Sequence, residues 1–196
     1  MAPDTAQEIP VTLAAIDPRT ALVLIDLQAG TLGAELAHPV AELLEHVAEL
    51  VAAFRAKELP IVFATVDGTP PGRTEYADGP RDFPAEWSAF APAAEALRRP
   101  ADLAVVRRSW SIFTGTGLDE QLKALGVTEV VIAGVATSFG VESTARDAYG
   151  LGYTVVVATD AVSDRSAGAH TTTLTRVVPA LGQLGTSGEI AALLGA

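Results

Sequence analysis

Short apolar runs recur along the chain and are separated by stretches with a different period. "TALVLID" (20–26), "LPIVFATV" (59–66), "TEVVIAGV" (128–135) and "YTVVVATDA" (153–161) read as buried strands, with a short strand at the head of "LAVVRRSWSIF" (103–113) and a last one near "GQLGTS". Between them, apolar residues return at helical spacing in 39–58, where Pro39 stands near the start, in 117–126, closed by Gly126, and in 139–152 and 170–182. Strands alternating with helices predict βαβ units: a three-layer α/β/α fold around a Rossmann-like, six-stranded parallel sheet. One stretch fits neither period. Residues 67–84, "DGTPPGRTEYADGPRDFP", form a long loop rich in Gly, Pro and charge, read as a loop over the site.

In open parallel sheets ligands bind beyond the carboxyl ends of the strands. Asp26, Val66, Arg107 and the segment from Val135 to Gly140 are therefore expected around one crevice. Asp26 ends a wholly apolar strand, where a carboxylate is costly unless it caps a loop or does chemistry. Arg107 stands at another strand end, where the plain alternative is a surface charge. The turn after "VVIAGVA" is a place where many α/β enzymes present a nucleophile, yet its apex is Gly140.

Composition narrows the field. A chain of 196 residues, 49% hydrophobic, supports one domain over 1–196, with 1–15 as an N-terminal extension. The absence of cysteine removes disulfides, thiolate metal sites and thiol nucleophiles. A formal net charge of −11 opposes nucleic-acid binding, so an anionic small substrate has to be met by local arginines, with Arg73, Arg107 and Arg108 as candidates. No apolar run reaches membrane-spanning length and no signal-peptide pattern follows Met1, so no membrane association and a cytoplasmic location are expected. His38, His46 and His170 are scattered along the chain and imply neither metal nor cofactor.

"LVLIDLQ", "VVRRSWSIFTGTGL", "VVIAGVATSFGVESTARDAYGLGY" and "VATDA…H" together resemble, in order and spacing, the isochorismatase-like hydrolase superfamily over roughly residues 20–190. The resemblance implies a parallel α/β/α protein, a homodimer or larger homo-oligomer, and a site corresponding to an Asp, Lys, Cys triad. Here the Asp is Asp26; the Lys position, placed by its offset from Trp110 and Phe113, is Arg107; the Cys position is Gly140. Glycine at that position resembles the isochorismatase branch, which cleaves a vinyl ether without a covalent intermediate, the Asp acting as general acid and pyruvate leaving. The nicotinamidase branch places metal-binding histidines after the second strand, and "TVDGTPPGR" has none. The tyrosine and glutamine frequent in the isochorismatase branch are here Ala136 and Val66. The resemblance also implies a cis peptide at Val135–Ala136, and a substrate surface formed by Gln28, Val66, Arg73, Trp110, Phe113, Val135, Ala136, Thr137 and Phe139.

Three readings stay open on the sequence. The first is a vinyl ether hydrolase with Asp26, Arg107 and Gly140 at its centre. The second is an inactive member that binds a small metabolite. The third is a non-cysteine amide hydrolase using Ser138 or Thr137, for which no histidine base is evident nearby in sequence.

Overall fold

The computed structural model describes residues 13–195. Most of the 1–15 extension lies outside the described residues. The sheet comprises β1 (Thr20–Ile25), β2 (Ile61–Val66), β3 (Leu103–Arg107), β4 (Glu129–Val135), β5 (Thr154–Ser163) and β6 (Gln183–Gly185). All pairings are parallel, and the strand order is β3-β2-β1-β4-β5-β6. The chain thus starts in the middle of the sheet, winds to one edge, then returns to build the other half. The reversal falls between β1 and β4, so the loops leaving them part to opposite sides and open a crevice.

Strand alternation divides the interior into two cores. Leu22, Leu24, Phe63 and Val131 pack against Leu43, Val47, Leu50 and Phe54 of the helix Val40–Ala56. Val23, Ile25, Val62 and Ile132 face Leu118 and Leu122 of the helix Leu118–Ala124, and Ala145 and Ala148 of the helix Glu142–Gly150. Because β1 is covered on both faces, every one of its residues is buried. That accounts for its continuous apolar sequence.

The structure departs from the sequence pattern in places. The region 139–152 opens with a π-helical turn, Thr137–Val141, before the α-helix. The region 170–182 holds the helix Ala167–Thr172 followed by π and 3-10 turns that end at Ala180, where Pro179 cannot continue an α-helical ladder. A terminal helix, Ser187–Leu194, was not foreseen; the Thr186/Glu189 capping box starts it, and it packs on the first core through Ile190. Among the described residues no helix is long and apolar enough to cross a membrane.

Candidate active site

Asp26 follows the last residue of β1 with φ of 48°, in the left-handed region that few non-glycine residues occupy and that is enriched at functional sites. This turn directs its carboxylate beneath the loops, where the residue is 5% exposed. Arg107, the last residue of β3, is equally buried, and its Nη2 donates to Asp26 Oδ2 at 2.5 Å. Its Nη1 donates to the Ser109 carbonyl. Since β2 lies between β3 and β1, the guanidinium crosses the end of a whole strand to reach the carboxylate.

Gly140 completes the group from the β4 side. A Cβ built there would lie 2.8 Å from Arg107 Nη2, 2.9 Å from Ile25 Cγ2 and 3.7 Å from Asp26 Oδ2. The Val135–Ala136 peptide leading into this turn is cis, as the resemblance implied. At Gly134, φ is 113° and an added Cβ would fall 2.1 Å from the Ile25 carbonyl oxygen. Only glycine lets β4 lie so close to β1 at the crevice.

Burial dominates the electrostatics of the pair. It pushes the Asp26 carboxyl up to about 7, against the charge and hydrogen bond of Arg107, which pull it down. The same burial holds the Arg107 guanidinium below its ordinary value. Asp26 Oδ1 and Arg107 Nε are both buried without a hydrogen-bond partner among the described residues. One acceptor and one donor are thus left over at the centre of the group, an expensive arrangement for a purely structural pair.

The other expected site residues divide by position. Gln28 is fully buried, and its amide bonds the backbone N–H and carbonyl of Val66 and the carbonyl of Ser88. It ties β1 to β2 and has no amide hydrogen to spare for a ligand. Trp110 and Phe139 stack with ring centroids 4.7 Å apart, both about half exposed, Phe139 being next to Gly140. Phe113 instead stacks on Tyr153 and packs on the second core. Arg73 is exposed in the long loop. That loop folds back on itself through Thr69–Arg81 and Asp67–Phe83 backbone bonds, and Arg108 pins both its ends by pairing with Asp67 and Asp82. Between the loop and residues 106–116 lies a cleft of about 590 Å³ with Arg107 on its wall. Asp26 does not line that cleft.

Two polar supports escaped sequence reasoning. The Asp164 carboxylate accepts from both the N–H and the hydroxyl of Ser138, at 2.8 Å each, and from the Ser166 N–H. An Asp just beyond an apolar strand and two residues before a helix cap was the available signal. His170 Nδ1 lies 2.9 Å from Thr137 Oγ1, and its Nε2 lies 3.2 Å from His38 Nε2. Burial, reinforced by His38, holds His170 below the ordinary histidine value. Thr137 does have a histidine beside it, but it is wholly buried. Both hydroxyls brace the turn.

The sequence model of the Isochorismatase domain matches residues 20–189. The chain belongs to the isochorismatase family. As an isochorismatase-family hydrolase it is 38% identical over 178 residues to the isochorismatase family protein YwoC of Bacillus subtilis (strain 168), covering 87% of this chain and 92% of the relative. The solved structure of an isochorismatase family protein from Burkholderia thailandensis superposes with a TM-score of 0.84 at 40% identity, over 93% of this chain and 98% of that one. A shorter similarity, 39% identity over 71 residues, links 36% of this chain to 28% of the ureidoacrylate amidohydrolase RutB of Variovorax paradoxus (strain S110).

Proposed function

We propose that this isochorismatase-family hydrolase cleaves the vinyl ether of a small anionic metabolite and releases pyruvate, with Asp26 as general acid. The observation that carries the reading is the Asp26 carboxyl: buried, raised to about 7, with Oδ1 unpartnered, beside an arginine and a glycine. A general acid works best with a pKa near the operating pH, and burial supplies that despite the arginine. Asp26 gives its proton to the terminal methylene carbon of the enol ether. Water adds to the resulting oxocarbenium carbon, and the hemiketal collapses to pyruvate and the alcohol. The proton lost by that water returns the carboxylate to its acid form.

Arg107 has the second role. It cannot give up its proton, so it holds negative charge in place rather than relaying protons, and its buried Nε is a donor without a partner among the described residues. Arg107 is also common to the Asp26 pair and the cleft under the long loop. With no cysteine in the chain and no side chain at Gly140, the route needs no covalent intermediate.

The regional similarity to an amidohydrolase favours a second reading, an amide attacked by water with ionised Asp26 as base. The two give opposite pH profiles. An acid loses kcat/KM as pH rises through about 7, and a base loses it as pH falls through the same value. The deciding experiment follows pyruvate release from isochorismate, aminodeoxyisochorismate and chorismate, and ammonia release from ureido and primary amides, across this pH range. Pyruvate with an alkaline decline is the expected result. A melting shift by these compounds without turnover of any of them would make the protein a binder.

A further inference from the structure

The tightest approach in the site is between a residue with no side chain and one with a very long side chain. Space at Gly140 is closed by Arg107 Nη2 on one side and Ile25 Cγ2 on the other, both inside 3 Å of where a Cβ would stand. The end of an arginine usually yields to such pressure at little cost. This one does not have that freedom, because Nη2 is bonded to Asp26, Nη1 to the Ser109 carbonyl, and the residue is 3% exposed. Any side chain at 140 drives the guanidinium off the carboxylate or strains the backbone.

We infer that Gly140 and Arg107 are one specificity-determining unit: the guanidinium takes the room a nucleophilic side chain at 140 would need, which commits the site to direct hydrolysis by water. Asp26 is the anchor that makes the choice exclusive, since it fixes where the guanidinium lies. A lysine at 107 ends one bond earlier, where arginine has its Cζ, so it keeps the charge beside Asp26 but lacks the Nη2 atom that both bonds Asp26 and closes the space at 140. A thiol at 140 and an arginine at 107 are therefore incompatible, whereas a thiol and a lysine are not. This deepens the reading of a reaction without covalent intermediate, and its test uses no substrate, so the two can fail separately.

Gly140→Ala and Gly140→Cys are each made with Arg107 retained and with Arg107→Lys. Melting temperatures are compared, as are rates of iodoacetamide alkylation of the introduced thiol, the sole thiol in the protein. With arginine retained, Gly140→Ala is expected to lower Tm by roughly 3–10 °C, the range for overpacking in a chain of this size. Arg107→Lys should recover at least half of that loss. Likewise, the thiol of Gly140→Cys should alkylate several-fold faster with lysine at 107. Equal losses and equal alkylation in both backgrounds would overturn the pairing. So would failure of Gly140→Cys to fold with either residue at 107, because Ile25 would then set the limit. Folding only with lysine would support it.

Discussion

Two of the arginine–aspartate pairs in this fold, Arg55–Asp102 and Arg107–Asp26, are opposites. Arg55, in the last turn of the helix Val40–Ala56, grips Asp102 with both arms, Nη1 to Oδ1 at 2.8 Å and Nη2 to Oδ2 at 2.7 Å. Asp102 also accepts from the Arg99 N–H, and Arg55 donates to the Leu97 carbonyl. Burial pushes the Asp102 carboxyl up, but these bonds outweigh it and its pKa falls below the ordinary value. Arg107 meets Asp26 through one nitrogen only, and there burial wins. The same two residue types give a carboxyl of lowered pKa when both of its oxygens are bonded, and one of raised pKa when an oxygen is left over. Proximity alone does not separate them.

The comparison breaks first at Asp26. Asp26→Asn should lower turnover of the vinyl ether by on the order of 10² or more, with ligand binding retained. An unchanged rate of pyruvate release would remove the acid from the mechanism. Arg55→Ala should do the reverse, costing about 2–4 kcal/mol of stability, or a fall in Tm of roughly 5–15 °C, with kcat intact below that temperature.

Smaller effects sharpen the contrast. Arg107→Ala should raise KM for a carboxylate substrate by roughly tenfold. Because Arg107 pulls the Asp26 pKa down, its loss should also carry the alkaline decline of the rate to higher pH. Arg107→Lys, which keeps the charge, should retain activity or increase it. Finally, the pairs should shape stability in different pH windows. A carboxyl raised to about 7 favours the folded state most below its unfolded value near 3.8 and progressively less as pH rises through 7. Asp102, lowered, stabilises above its unfolded value and loses that contribution as pH falls through its folded one. Denaturant titrations of Asp26→Asn and Asp102→Asn against wild type should therefore diverge between pH 4 and 7 for the first and below about 4 for the second.

Much of this could be read along the chain. The four inner strands, β1, β2, β4 and β5, were visible because burial on both faces leaves a continuous apolar run, and β1 is the clearest case. The helix Ser187–Leu194 was missed because it is short and follows a region already assigned to a strand, although its Thr186/Glu189 cap was in plain view. At the site, Asp26 stood out as a charge at the end of an apolar run, whereas nothing local in "VVRRSW" shows which way the Arg107 side chain turns. Gln28 looked like a ligand group and proves to be a backbone clamp on Val66. His170 looked incidental and reaches Thr137 across 33 positions of sequence. Such partnerships are fixed by strand order, which periodicity does not encode.

The place of Arg107 in the sheet has a kinetic consequence. Asp26 hangs from a central strand locked between two neighbours, but its partner is carried by a five-residue strand that pairs on one side only and leaves Ala104 and Val106 open to solvent. Edge strands of that kind open far more cheaply than the whole domain unfolds. Fraying of β3 withdraws the guanidinium while the rest of the sheet stays intact, so heating should silence the enzyme reversibly before it melts. Amide hydrogens of Val105 to Arg107 should then exchange well ahead of those in β1 and β4.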